Sequence, residues 1–421
     1  MTSHDEQRLG DALRRRADST EPHLLSFDDV TSRAGSIRRR RIATGVVAAA
    51  AVVAVVVPTA MVATGSTDRS DPGFATNTPT PAVTQDVTLD PSPTDPVTPT
   101  GRHQDVSVLG DLPTGAAPKI LVRIGSQVLL PDGTRVKVGS DAVHSALVDG
   151  RVVTLERDGD GNGTFVVRDT SGSVEVQEPA DIDGALSVTP DRTAAAYVGT
   201  DGRIHTWSEA DGDLTFSAPL KHVQLGPLLG SGGSCKEQAP EGGGCTVFYS
   251  TADGHARYAT SHGIDDQVPG FVMVNSAHEE RLAGQTESLP AGSCSEIRRS
   301  MGTTSLLRTC DFLLETFSPD GLYVTGGPAY GDGLGPASVD VLDAATGKSL
   351  LTISAAGEPG VPSYIPQLGW EDDSHLLASV FDGKAWRLVR IGLDGSAELA
   401  DAGPMPSGDV GEVPLRLDAG A

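Results

Sequence analysis

The chain has 421 residues, with 32 Lys and Arg against 56 Asp and Glu, a formal net charge of −24 and only 4% aromatic residues. So acidic a composition argues against nucleic acid as a partner, because phosphate recognition needs basic surface. With 50 Gly and 28 Pro the chain is punctuated too often for long helices and suits many short strands.

Residues 1–41 contain two stretches of helical pattern, "DEQRLGDALRRRADS" and "SFDDVTSRAGSIRRRR". Leu9 and Leu13 share one helix face, and Ser26 caps the second helix ahead of Asp28 and Asp29. A short helical cytoplasmic head is expected here. It lacks cysteine, and so lacks the His–Cys zinc motif common in sigma-factor-binding heads. Residues 42–65, "IATGVVAAAAVVAVVVPTAMVATG", hold no charge. As a helix this segment measures ~36 Å, more than the ~30 Å hydrocarbon core of a bilayer. Arg33, Arg38, Arg39, Arg40 and Arg41 flank one end, and Arg69 stands nearly alone at the other. Positive charge stays inside, so the expectation is a single-pass membrane protein with a cytoplasmic N-terminus and its bulk outside the cell membrane. A cleaved signal peptide fits less well, because the preceding segment is long and no good cleavage site or lipidation cysteine follows. Residues 66–104 are rich in Pro and Thr, too poor in apolar side chains to build a core, and are expected to be a disordered linker.

From residue 105 to 421 short alternating runs are broken by Asp-Gly, a dipeptide that occurs twelve times and is a strong hairpin signal. "ALSVTPDRTAAAYVGTDGRIHTWSEADGDLTFS" parses as four strands joined by tight turns. The unit recurs in "AVHSALVDGRVVTLERDGDGNGTFVVRDTSGSVEV", in "FLLETFSPDGLYVTGG" with "ASVDVLDAATGKSLLTI", and in "IPQLGWEDDSHLLASVFDGKAWRLVRIGLDGSAEL". Four-strand units at this spacing bury their faces only against neighbours, which requires a closed ring. The front end, "KILVRIGSQVLLPDGTRVKV", supplies three strands, and "EVPLRL" near the C-terminus is expected to supply the fourth. The reading is all-β: a propeller of seven blades, or six if the region after Phe271 is an insertion.

All four cysteines lie beyond the apolar span, where an oxidising compartment is expected. Of three connectivities, Cys235–Cys245 and Cys294–Cys310 are favoured because each pair brackets one short loop. Closing such loops contributes roughly 3 kcal/mol apiece. A metal site at these cysteines has less support, since no CxxC pair is present.

"FSPDG" at Phe317–Gly321, "TPDR" at Thr189–Arg192 and "VDVLDAATGK" at Val339–Lys348 resemble the strand-turn signatures of WD40-like and TolB-like propellers. That resemblance implies a fold and no particular activity. The layout is similar to actinobacterial single-span proteins with an extracytoplasmic propeller, some of which are encoded beside extracytoplasmic-function sigma factors.

"DGDGNGTFVVRD" places Asp158, Asp160, Asn162 and Asp169 at positions 1, 3, 5 and 12 of a calcium-loop pattern. Val166 at position 9 and Asp rather than Glu at position 12 depart from it, and a polar hairpin tip is the competing reading. No other cofactor is implied. Catalysis finds little footing: there is no GxSxG, HExxH or SxxK, "AHEERLAG" has Leu282 where a second His is needed, and "TDGRIHTW" has the wrong spacing for a sialidase Asp-box. Trp207, Trp370 and Trp386 fall on strands of repeated units and are expected to pack between blades. The function expected is a non-enzymatic, membrane-anchored extracytoplasmic module that binds a protein, peptide or envelope ligand. The alternative is a sensor whose head restrains a cytoplasmic regulator such as a sigma factor.

Overall fold

The computed structural model describes residues 103–418, apart from 159, 231–232, 237–243, 290–291, 300–301, 331–334, 358–361 and 406–412. The expected head and span, and the linker up to residue 102, lie outside the described residues. Among the described residues no helix is long and apolar enough to cross a membrane.

Strand β1 (Gln104–Ser107) leads in, and β2 (Val122–Ile124), β3 (Gln127–Leu129) and β4 (Arg135–Lys137) begin the first sheet. The next is β5 (Ala142–Val148), β6 (Arg151–Arg157), β7 (Gly163–Arg168) and β8 (Val174–Ala180). Then come β9 (Ser187–Val188), β10 (Ala194–Val198), β11 (Ile204–Ser208) and β12 (Gly212–Thr215). The fourth sheet is β13 (Gln224–Leu229), β14 (Thr246–Ser250), β15 (Ala256–Thr260) and β16 (Asp265–Gln267). The fifth is β17 (Met273–His278), β18 (Arg281–Leu289), β19 (Gly292–Arg299) and β20 (Ser305–Thr309), so the region after Phe271 is a blade and not an insertion. The sixth is β21 (Phe312–Phe317), β22 (Tyr323–Pro328), β23 (Ser338–Asp343) and β24 (Ser349–Ser354). The last is β25 (Tyr364–Asp372), β26 (His375–Phe381), β27 (Trp386–Gly392) and β28 (Ala397–Leu399), followed by β29 (Leu415–Leu417).

The four strands of each blade form an antiparallel meander in chain order, except in the first, whose order is β29-β2-β3-β4. The C-terminal strand therefore takes the innermost place of blade 1, in the register Ile124↔Leu415 and Val122↔Leu417. The expected closure by "EVPLRL" is what the chain does, and the sheets number seven.

Burial explains the strand sequences. Middle strands meet a neighbouring blade on each face and read as continuous apolar runs: β10 is "AAAYV", buried throughout. Outermost strands face solvent and tolerate charge, as in "DDQ" of β16. Among the described residues the buried apolar side chains form seven clusters, and each joins two consecutive blades. One unites Trp386 and Leu388 of blade 7 with Val122, Leu415 and Leu417 of blade 1, so the ring closes on a core and not on backbone bonds alone.

The sequence pattern did not disclose the lead-in. Gln104–Ser107 pairs in parallel with β24, adding a fifth strand to blade 6 and covering its outer edge. The chain then crosses blade 7, where Gly115 N–H donates to Leu399 O at 2.8 Å and Leu399 N–H to Pro113 O at 2.8 Å. Arg390 fastens it, donating to Ala117 O at 2.7 Å and pairing with the buried carboxylate of Glu371 and with Glu398 at 2.7 Å. A strap over blades 6 and 7 thus delivers the chain to blade 1.

Candidate functional site

Strand direction alternates within a blade, so first-to-second and third-to-fourth turns gather at one end of the ring. This upper rim surrounds a central channel of about 920 Å³, whose wall is built from the first strand of successive blades. The turns at the rim carry acids: Asp149 in blade 2, Asp191 in blade 3, Glu279 and Glu280 in blade 5, Asp320 in blade 6, Asp373 in blade 7, and Asp418 after β29. Turn chemistry puts several of them there. The Asp320 carboxylate accepts from Ser318 Oγ at 2.6 Å and from Leu322 N–H at 2.9 Å. That of Asp191 accepts from Thr193 Oγ1 at 2.7 Å. Gly321 completes the blade 6 turn at φ +68°, where a methyl group would also press on His278 and Arg281.

The summed field is negative. Burial raises the Asp149 carboxyl, helped by Glu209 and Asp191 nearby. Burial likewise raises Asp373, with Asp320 adding to it. Three rim cations are engaged in ion pairs: Arg192 with the buried Asp418, Lys119 with Asp372 at 2.6 Å, and Arg151 with Glu175 and Glu209 at 2.7 Å each. Arg281 instead lies 5.3 Å over the Phe317 ring.

Inside the channel, Glu315 on β21 has no hydrogen-bond or salt-bridge partner among the described residues, and burial pushes its carboxyl up. Asn275, on the adjacent first strand β17, donates Nδ2 to Leu314 O at 2.6 Å, leaving its buried Oδ1 without a donor. An acid and an amide oxygen thus face a space able to hold a side chain that brings N–H donors. Beside the rim, Leu322 is 59% exposed and Leu306 43% exposed. Leu306 shares a shallow cleft with Glu279, Glu280, Arg281 and Arg299. The blade 5–blade 6 sector therefore offers apolar and acidic surface side by side.

The sequence-marked residues lie elsewhere. Asp158 accepts from Asp160 N–H at 2.9 Å, Asn162 N–H at 2.8 Å and Asn162 Nδ2 at 3.1 Å, closing a hairpin tip at the lower rim. Asp169 stands beyond the other end of β7, at the upper rim, where it accepts from Ser171 N–H and Ser173 N–H at 2.9 Å each. The structure gathers Asp158, Asp160 and Asn162 into one turn and leaves Asp169 a strand's length away. Asn162 hydrogen bonds hold the Asp158 carboxyl below its ordinary value, and Ser171 does the same for Asp169. Among the described residues no group of three His, Cys, Asp or Glu side chains could hold a metal ion.

Both expected disulfides are formed, Cys235–Cys245 and Cys294–Cys310. The first closes the blade 4 rim loop, anchored by Asp211, which accepts from Cys235 N–H at 2.7 Å and Lys236 N–H at 3.1 Å. Trp207, Trp370 and Trp386 are buried between blades, as expected. In "TDGRIHTW", His205 lies 3.0 Å from Asp213 and 3.3 Å from Asp201, while Tyr197 Oη donates to Asp213 at 2.7 Å, a cross-strand clasp within blade 3. Glu315 and the rim acids were not singled out from the sequence. The available signals were a charge inside the apolar strand "FLLETF" and an acid recurring at the first turn of successive units.

These features define a seven-bladed β-propeller closed by its C-terminal strand. Solved structures to which the chain is similar include WD40 and TolB/BamB-like propellers. The chain is similar to the β-propeller domain of Cps50 (Swd1) from Myceliophteria thermophila, at 9% identity, over 68% of this chain and 91% of that one, with a TM-score of 0.43. It is also similar to BamB from Moraxella catarrhalis, at 13% identity, over 68% of this chain and 84% of that one, with a TM-score of 0.38. No family model and no curated protein matches the sequence. The fold assignment accordingly stands on this chain's own strand order and inter-blade cores.

Proposed function

We propose that this chain is a membrane-anchored, extracytoplasmic binding module whose upper rim takes a polypeptide segment bearing Lys or Arg beside apolar side chains. The observation that carries the reading is Glu315, an unpaired acid in a channel whose rim is itself acidic. A half-buried carboxylate without a counter-charge is disfavoured, and a ligand cation would relieve that. Leu322 and Leu306 supply the apolar contact. The anchor is the uncharged segment 42–65 with its arginine flank, and the Pro- and Thr-rich tether sets the ring off from the bilayer. Two disulfides fit an oxidising exterior.

The test uses the full chain in detergent and a fluorescent peptide of alternating Leu and Arg, with a Leu and Glu counterpart. The Arg peptide binds, binding weakens as salt rises, and Glu280→Lys and Glu315→Gln each weaken it. Equal binding of both peptides, or indifference to both substitutions, contradicts the proposal. Protease accessibility of a tag placed after Gly65 in intact cells tests the topology separately.

A further inference from the structure

The interface between blade 1 and blade 2 differs from the rest of the core at its inner end. Its outer part is apolar: Leu121, Val128, Val136 and Val138 of blade 1 meet Ala142 and Val152 of blade 2. Toward the channel the chemistry changes. Val122, Leu415 and Leu417 pack on blade 7, which turns the intervening Arg123 and Arg416 to the opposite face, toward blade 2. The two arginines are direct cross-strand partners in the β2–β29 ladder. Like charges in that position repel.

Among the described residues no carboxylate pairs with either. Arg123 is 5% exposed, and its terminal nitrogens donate only to backbone, to Gly125 O at 2.7 Å and Val413 O at 3.3 Å. Arg123 Nε and Arg416 Nε are both buried without an acceptor. Burial lowers the Arg123 guanidinium to about 10, with Arg416 adding to the effect. On β5, His144 is held down at about 4, and so neutral, by burial and by these same two arginines. Ser145 follows, 1% exposed, its hydroxyl also without a partner. It is paired with Thr154, two residues from Val152, which places it on the face toward blade 1. The acid on that face of β6, Glu156, is already held by Arg168 at 2.6 and 3.0 Å and by Thr154 at 2.7 Å.

Two guanidinium Nε–H groups on cross-strand partners, and a serine hydroxyl on the facing side of blade 2, are each buried without an acceptor, a donor set in need of an oxyanion. We infer that the seam between the closing blade and blade 2 binds a tetrahedral oxyanion of the phosphate or sulfate class, through Arg123, Arg416 and Ser145. A guanidinium N–H makes a strong, charge-assisted hydrogen bond to such anions. Because Arg416 belongs to the closing strand and Ser145 to blade 2, the bound anion bridges the two sides of the ring closure. It raises the stability of the closed ring by mass action. The site is independent of the cationic ligand proposed for the upper rim, since Arg123 is tied to Gly125 O in the lower-rim β2–β3 turn and none of the three residues lines the channel.

The test is calorimetric titration of the full chain in detergent with inorganic phosphate and with sodium sulfate, at ionic strength held constant with chloride. Binding saturates with Kd at or below about 1 mM, and melting temperature rises with either oxyanion but not with chloride. Arg416→Gln weakens binding at least tenfold and abolishes the oxyanion-dependent rise in melting temperature. In chloride alone Arg416→Gln melts no lower than the wild type, because the arginine it replaces has no partner there; this separates loss of the site from loss of the fold. Arg416→Lys recovers part of the binding, and Ser145→Ala weakens it. Absence of saturable binding by the wild type, an equal response to chloride, or unchanged binding in Arg416→Gln overturns the inference.

Discussion

Replacing Leu415 by Ala tests whether the last strand is structurally part of the ring. Leu415 is fully buried, in a cluster with Val122, Trp386, Leu377 and Leu388, and is paired with Ile124 in a ladder of only three residues. The surrounding side chains belong to two sheets that are fixed by their other neighbours, so the space left by three missing carbons stays largely open. Large-to-small changes in such sites cost about 2–5 kcal/mol, and the rigid surroundings argue for the middle of that range, about 3 kcal/mol. Domains of ordinary stability have only about 5–15 kcal/mol in hand, so the effect is large. The assay is urea unfolding of the full chain, read as a lower midpoint at unchanged slope. Leu322→Ala, at a residue 59% exposed, is the control and should stay within about 0.5 kcal/mol. If Leu415→Ala moves the midpoint no more than Leu322→Ala does, β29 is not holding the ring closed and the closure argument fails.

Reducing either disulfide should cost about 3 kcal/mol, with Cys294→Ser and Cys310→Ser giving equal losses and the double mutant no further loss; reductant-dependent unfolding curves check this. Asp211→Ala, which frees Cys235 N–H, Lys236 N–H and Ser234 Oγ, should speed tryptic cleavage after Lys236 before it changes global unfolding. The blade 3 clasp gives a pH signature. The hydrogen bond to Asp213 raises His205, whose contribution is complete below its unfolded value and lost as pH rises through its folded one. Asp213 is lowered, against burial, by His205 and Tyr197, and its contribution is lost as pH falls through its folded value. Asp213→Asn should therefore destabilise most between the ordinary carboxylate and imidazole ranges, about pH 4 to 6.5, and less above, as stability curves at several pH values will show. Glu315 has the opposite sense for an acid: raised by burial, it favours the fold while protonated and loses that contribution as pH rises through its folded value. Glu315→Gln should be more stable than wild type above neutrality and indistinguishable from it in acid, measured by melting temperature against pH.

Much of the ring was legible because its signals are local. Asp-Gly turns bound the strands of blade 3 at Gly202 and Gly212, and the four-strand period follows from counting them. The closing role of "EVPLRL" was legible by arithmetic, since the front end lacked one strand of four. The lead-in was not, because "QDVS" has no strand pattern of its own; it is ordered by lying against β24, a contact made 247 residues away. The loop "DGDGNG" carries the pattern of a ligand set as well as of a turn because Asx turns and calcium loops use the same alternating oxygens, and only the length of β7 separates Asp169 from the rest. Glu315 is not legible in the sequence, because a lone acid in a strand signifies nothing until the strand is known to line a channel. Arg123 and Arg416 are neighbours only once the two chain ends are joined.

The claim that the upper rim is the binding face is tested most directly by photo-crosslinking in intact cells. A photoreactive amino acid is placed at Leu322, exposed in the blade 6 first turn, or at Tyr330, 66% exposed on the connection at the opposite end of the same blade. The account predicts a discrete crosslinked polypeptide from position 322 that carries a Lys- or Arg-bearing segment at the crosslink and disappears with Glu280→Lys, and none from position 330. A partner captured at 330 and not at 322 would contradict it.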